Sequence, residues 1–235
     1  MDQPYDVNFC FPVPANLKND RVGLVPFIPS EHADAFFAAA GIRPELFTYL
    51  PWGPFDTAQE FVSTVIEKRI QPDRGMILFA VFDTSTPGKP QLAGIIGLLD
   101  TSAANLSTEI GFVITLPQFQ RTHVTTNAIG LLLHWTLDAS LEGGLGLRRV
   151  AWKANAHNTR SVRAAERLGF RQEGVLRWDR VLPAWKTEGG NGGGVRAGDS
   201  KPDCRGRDTV LLSLCWDDWE AGARKSVKEI MQRVR

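Results

Sequence analysis

The chain has little cysteine, no surplus of either charge and no long apolar run, and each shortage removes a class of protein. Three cysteines, Cys10, Cys204 and Cys215, are scattered through 235 residues without a CxxC pair. Neither a disulfide framework nor a metal site is expected, and the pattern suits a reducing, cytoplasmic compartment. Lys and Arg number 27 against 26 Asp and Glu, a net charge of +1, so no overall field gathers nucleic acid or an anionic membrane. Nowhere do 18 apolar residues run together, and the opening MDQPYDVNFCFPVP has acids and prolines where a signal peptide needs an apolar run. A soluble, unprocessed chain without a membrane partner is expected. GxxxxGK[ST], GxSxG and HExxH are also missing, which sets aside the commonest nucleotide-loop, esterase and zinc-protease readings.

What is present is a core. Hydrophobic residues make up 43% and charged residues 23%, enough for one α/β domain or two small ones. RVGLVPFI at 21–28 reads as a strand, and Ser30 is placed to cap the short helix HADAFFAAAG, which Gly41 ends. Glu45 to Phe55, aromatic and interrupted by Pro51 and Pro54, reads as an irregular segment before the helix TAQEFVSTVIEKRIQ. MILFAVFD at 76–83 and QLAGIIGLLD at 91–100 suit a hairpin, with EIGFVITL at 109–116 as a third strand. Thr125 to Ser140 is apolar nearly all round, as in a helix buried on most sides. Strand 147–154 and helix 161–168, stopped by Gly169, complete a strand–helix–strand–helix alternation that implies a parallel pair near the middle of a mixed sheet. Strands around Gly174–Leu182 and at 208–215 follow, then a closing amphipathic helix with Val227, Ile230, Met231 and Val234. Between those strands, residues 186–207 contain GGNGGGVRAG and almost nothing apolar, so a mobile loop is expected.

Two segments are placed to carry chemistry. PQFQRTHVTTNA, 117–128, joins a strand to the amino end of the buried helix. Free N–H groups and the positive dipole end there suit a pyrophosphate, supplemented by Arg121, Thr122, Thr125 and Thr126, although an ordinary capped turn has the same look. In NAHNTRSVRAAERLGF, 155–170, Asn158 and Ser161 either cap the helix or present an amide and a hydroxyl at the carboxyl ends of neighbouring strands, where open α/β sheets bind ligands. Gly111 reads either as a bulge in its strand or as part of a strand edge left open for a ligand, His134 as a core residue and His157 as a loop residue.

The order of strand EIGFVITL, loop QFQRTHVT, buried helix and strand VAWKA, with Asn158-x-x-Ser161, ERLGF and EGVLR ending at Arg177, resembles the GNAT superfamily of acyl-CoA-dependent N-acyltransferases, and within it the RimJ/RimL-type branch. The likeness runs over about 21–219. It implies a GNAT-like α/β (α+β) fold, in which a mixed, mostly antiparallel sheet with a splayed parallel strand pair is flanked by helices. Residues 1–20 would be an N-terminal extension, 21–219 the acetyltransferase domain with 186–207 as an insertion, and 220–235 a C-terminal helix. The implied reaction is direct attack of a primary amine, on a small molecule or a protein N-terminus, on acetyl-CoA in a ternary complex without a metal; a homodimer stays open.

The resemblance also assigns residues. The pyrophosphate loop falls on Gln120, Arg121, Thr122, His123, Val124 and Thr125, with His123 and Thr125 where the family has small residues; a histidine is strained there if the position needs a positive φ. Pantetheine would pair between the splayed strands, with backbone near Val113 and Ile114 facing the thioester oxygen, and Asn158 and Ser161 would complete the cofactor site. The tyrosine acid of many relatives is Ala165 here. That leaves Ser161 as the acid for the departing thiolate and Glu109 as the general base, the alternative for Glu109 being a solvated strand-end carboxylate. Tyr49, Trp52 and Phe55 fall where the fold walls the acceptor, or they form a turn over the core. With the tyrosine missing and the loop altered, the alternative function is a catalytically idle acyl-CoA-binding or scaffold protein.

Overall fold

One sheet takes up the apolar runs. In the computed structural model, which describes residues 5–14 and 17–233, its strands are β1 (Leu17–Lys18), β2 (Val22–Pro26), β3 (Ile77–Asp83), β4 (Gln91–Ser102), β5 (Ser107–Thr115), β6 (Arg149–Asn155), β7 (Arg171–Val181) and β8 (Gly206–Cys215). They lie in the order β1-β2-β3-β4-β5-β6-β8-β7, antiparallel throughout except for β5 and β6. The helices are α1 (Pro29–Ala40), α2 (Ala58–Phe61, continued in wider turns over Val62–Ile70), α3 (Val124–Leu137), α4 (Thr159–Arg167), α5 (Trp216–Asp218) and α6 (Arg224–Gln232). The mixed, mostly antiparallel sheet with one parallel pair is therefore the architecture that the sequence implies.

Local chemistry explains where elements start. Ser30 does not cap α1: Ile28 is the N-cap and Pro29 opens the helix, its fixed φ suiting a first turn that needs no N–H from it. The Ile28 N–H is taken instead by His32 Nδ1 at 2.9 Å. Helix α3 is apolar on most sides because it lies between the sheet and α6. A Cβ on Gly130 would collide with the Met231 side chain, and Val227 and Met231 are buried on α6. Val234, expected on that helix, lies outside the described residues.

The parallel pair is short. Its register is Ser107↔Arg149, Thr108↔Val150 and Glu109↔Ala151, and beyond Glu109 the strands part. On the other side of β5, Ile114 faces Ile95 but Gly111 faces Gly97, so two β5 residues oppose Ile96. The bulge expected at Gly111 thus sits beside it at Phe112, a non-glycine with φ of 52°. Such a bulge bends and twists its strand, which turns β5 away from β6. Strand β6 stays paired with β8 over its whole length, from Arg149↔Cys215 to Asn155↔Thr209.

No helix or strand lies between Val181 and Gly206, yet the start of this segment is tied down. Lys186 is buried with Nζ on the Phe47 carbonyl, Asn155 Nδ2 donates to the Gly189 carbonyl at 2.7 Å, and Arg205 donates to Thr187 O at 2.7 Å. Trypsin is expected to cut first after Arg196, which is exposed, leaving a large folded remainder; mass spectrometry of early fragments checks this, and first cuts outside 186–207 count against it.

A carboxylate ties the far strands together. Glu173 on β7 makes two 2.6 Å bonds with Arg149 on β6 and accepts from Ser213 on β8 at 2.7 Å. The Arg149 guanidinium, helped by Ser213, holds the Glu173 carboxyl down to about 2. The folded form therefore gains above the ordinary pKa of about 4.5 and loses the gain as pH falls toward 2. The pair is solvent-screened, so Glu173→Gln should cost about 1 kcal/mol or less at pH 7, with the gap to the parent closing as acid melts are run from pH 5 to 2.

Candidate active site

Where β5 and β6 part, a cavity opens between them. Its walls come from Glu109–Val113 on β5, Trp152–Asn155 on β6, and Asn158 and Ser161 at the start of α4. Tyr49, Leu50 and Pro51 close one end, and Arg69, Arg180 and Arg207 reach in. Five residues singled out from the sequence meet here, Tyr49, Glu109, Val113, Asn158 and Ser161. Trp52 and Phe55 do not. Both are buried in the core, stacked at 5.9 Å, behind the cavity wall residue Phe112, whose ring lies 5.2 Å from that of Trp52.

Ser161 and Glu109 have different surroundings. Asn158 caps α4 by accepting from the Ser161 N–H at 3.1 Å, which fixes the serine in the first turn. The Ser161 hydroxyl oxygen accepts from Trp152 Nε1 at 3.0 Å; the indole can only donate, so the hydroxyl proton stays available to another acceptor. Glu109 is 5% exposed, so it is no solvated strand end. Lys153 Nζ stands 2.7 Å from Glu109 Oε2 and 2.7 Å from Asp100 Oδ2. The contact with Asp100 has hydrogen-bond alignment, while that with Glu109 Oε2 is an ion pair without it. Burial pushes the Glu109 carboxyl above the ordinary carboxylate range, Lys153 offsets part of the rise, and the Asp100 charge adds to it.

The loop before α3 lies at the far end of β5. Gln120 Nε2 donates to Thr115 O at 3.1 Å, and the Thr115 and Thr125 hydroxyls meet at 2.7 Å, fastening strand end to helix start. The Val124 N–H is held by Thr122 Oγ1 at 3.3 Å. The N–H groups of Thr125 and Thr126 find no acceptor among the described residues. His123 is in ordinary right-handed helical geometry, φ −68°, and so bears no strain as a glycine substitute. The left-handed position is Arg121, φ 62°, and His123 Nε2 is turned to Asp83 Oδ1, 3.3 Å away.

A family model described as an acetyltransferase (GNAT) domain matches residues 21–171, from β2 through the fork and α4. The chain belongs to this GNAT family. Its membership implies acyl-CoA-dependent acetyl transfer. Among solved structures, the chain is similar to a GCN5-related N-acetyltransferase from Brucella melitensis, with 27% identity, a TM-score of 0.73, and 94% of this chain and 86% of that one covered. It is also similar to a probable acetyltransferase of the GNAT family from Chromobacterium violaceum, at 26% identity, TM-score 0.70, and coverage of 94% and 97%. At 17% identity and TM-score 0.60, covering 86% and 99%, it shares the fold of a spermidine N-acetyltransferase from Vibrio cholerae in complex with CoA and spermine. No curated protein matches the chain.

Several residues of this GNAT cavity have no signature in the sequence. Trp152 reads as a core strand residue, and its bond to Ser161 exists only in the fold. Lys153, Asp100, Arg69, Arg180 and Arg207 read as separate surface charges, yet all line the cavity. Arg207 is 4% exposed; it donates to Tyr49 O at 3.3 Å, and its Nε has no partner among the described residues. Burial and then the Arg180 charge bring its guanidinium down to about 10, and the same two causes lower that of Arg69. Arg69 lies 5.3 Å from the centroid of the Phe112 ring. Deleting either end of the Trp152–Ser161 bond leaves the other unmatched, so Trp152→Phe and Ser161→Ala should be non-additive. A coupling of about 1 kcal/mol in a urea double-mutant cycle is expected, and strict additivity would mean that the bond is not made.

Proposed function

We propose that the chain transfers an acetyl group from acetyl-CoA to a primary amine by direct attack in a ternary complex, and that it is of the RimJ/RimL type and works in the cytoplasm. The observation that carries the reading is the fork itself. Past Glu109 the β6-facing edge of β5 has no strand partner among the described residues, and a cavity beside it holds a carboxylate and a hydroxyl. The RimJ/RimL assignment is supported by the phrase from Asn158 to Arg177, and the cytoplasm by three cysteines that are all unpaired.

The residues fit the cosubstrate. The unpartnered β5 edge at Val113 and Ile114 suits pantetheine, and the open N–H groups at the start of α3, with Gln120 to Thr125 around them, suit the pyrophosphate; Asn158 joins from α4. Acetyl-CoA supplies an activated acetyl group and a thiolate leaving group. The protein's own work is to move two protons. An amine attacks only when neutral, and a carboxylate whose affinity for protons is raised by burial takes one better near neutral pH, which suits Glu109 as base, directly or through water. Lys153 holds that carboxylate in place. Ser161, with its oxygen engaged by Trp152, keeps a proton to give to the sulfur as the carbon–sulfur bond breaks. Tyr49 stands at the acceptor end.

Saturating acetyl-CoA, at about 100 times Kd, should stabilise the protein by about 2.7 kcal/mol; no shift in Tm with millimolar acetyl-CoA would overturn the reading. In a thiol-release assay, Ser161→Ala should lower kcat roughly 10- to 100-fold with the acetyl-CoA shift retained. Glu109→Gln should lose most activity at low pH, where the amine is protonated, and recover as pH approaches the amine's own pKa. A loss uniform in pH would make Glu109 a positioning residue. Full activity in both variants would show that neither carries a proton.

A further inference from the structure

The cavity holds more positive charge than the chemistry of acetyl transfer uses. Arg69, Lys153, Arg180 and Arg207 line it, against the carboxylates of Asp100 and Glu109. Lys153 is committed to both of those carboxylates, at 2.7 Å each. Asp179 stands 3.4 Å from Arg180 Nε, and even with it counted the cations are in excess. The chain as a whole has a net charge of only +1, so this is a local concentration.

Elsewhere in the molecule, structural arginines have close acidic partners. Arg149 meets Glu173 at 2.6 Å, Arg171 meets Asp218 at 2.6 Å, and Arg224 meets Asp138 and Glu142 at 2.9 Å. Arg69 and Arg207 have no carboxylate within 4 Å among the described residues, and Arg207 is nine-tenths buried with its Nε unpartnered. Burying a cation without a counter-charge is costly unless a ligand completes the pairing. The lowered proton affinities of Arg69 and Arg207, caused by burial and by the Arg180 charge, express the same frustration, although both remain cationic at neutral pH.

We infer that the acceptor is an amine bearing an anionic group, a carboxylate or a phosphate, which seats on the guanidinium groups of Arg69, Arg180 and Arg207. The inference rests on the acetyl-transfer reading for the amine and on the cavity alone for the anion. Guanidinium forks match the planar oxygens of carboxylate and phosphate and hold them with direction as well as charge. The anion is not a phosphate of the cosubstrate, because residues 120–125, where the pyrophosphate belongs, do not line this cavity. Seated on the arginines, such a molecule fixes its amine within the same walls as Glu109. A polyamine, carrying further positive charges and no anion, is repelled from the same place.

The test is a set of amines that differ in charge, namely O-phosphoethanolamine against ethanolamine, the amino acids against their methyl esters, and spermidine. Each is assayed for thiol release and for its effect on Tm, with and without CoA. At least one anionic amine should exceed its neutral counterpart by about 30-fold in kcat/KM, and spermidine should be the poorest. Arg69→Gln and Arg180→Gln should each reduce that preference by about tenfold while the Tm shift caused by acetyl-CoA stays as in the parent. The phosphate and carboxylate arms tell which anion is preferred. Neutral amines accepted as well as anionic ones, or anionic amines that are neither acetylated nor able to raise Tm at about 20 mM, would overturn the inference. Silence toward acetyl-CoA itself would overturn the transfer reading instead. The anion site would then stand or fall on whether the anionic amines raise Tm in the parent protein and not in the arginine variants.

Discussion

Backbone pairing left undone between β5 and β6 is the constraint on which the site depends. Three residue pairs join these strands and then the ladder stops, although a buried polar backbone must find partners somewhere. The bulge at Phe112 directs the parting, and β8, paired with β6 along its full length, keeps the other half of the sheet intact. Two helices then start from the two strands that diverge, α3 after β5 and α4 after β6. The amino end of α4 brings the Ser161 hydroxyl to the opening, while that of α3, at the far end of β5, holds two N–H groups without an acceptor among the described residues. Cavity, strand edge and helix ends are thus consequences of one interruption in the sheet.

Electrostatics divides the cavity into a satisfied part and an unsatisfied one. Lys153 stands between Asp100 and Glu109 and neutralises a carboxylate that burial would otherwise make costly to ionise. The arginines across from it have no such arrangement. Arg69 and Arg207 feel the Glu109 charge without touching it, and on the inference above a substrate's own charge balances the remainder.

Much of the frame could be read from residue patterns because it depends on short-range physics. The period-2 and near-continuous apolar runs of β3, β4 and β5, the all-round apolarity of α3 and the Asn158–Ser161 start of α4 are local signals, and the parallel pair follows from element order. Helix α1 misled because Ser30 has the right chemistry for a cap, while the proline before it already settles where the helix begins. Trp52 and Phe55 stayed undecided for another reason: an aromatic, proline-rich segment suits a binding wall and a core lid equally, and only packing against Phe47, Phe61 and Phe112 decides. The charged wall was out of reach. Arg69 looks like a favourable charge near a helix end, Arg180 like one of several basic residues on an edge strand, and Arg207 like the tail of a glycine-rich loop. Their meeting is a fact of topology: β7 and β8, beside β6, bring Arg180 and Arg207 to the cavity that Arg69 reaches from the helical turns over Val62–Ile70.

That topology separates two tasks along the chain. The family match ends at residue 171, having already supplied the fork, Glu109, Trp152 and Ser161. Arg180 and Arg207 come from the two strands that follow, which join the sheet at its open edge and carry the long loop between them. On the proposed reading, changes confined to Arg180 and Arg207 on these two strands would alter which acceptor the cavity takes while Glu109, Trp152 and Ser161 stay where they are.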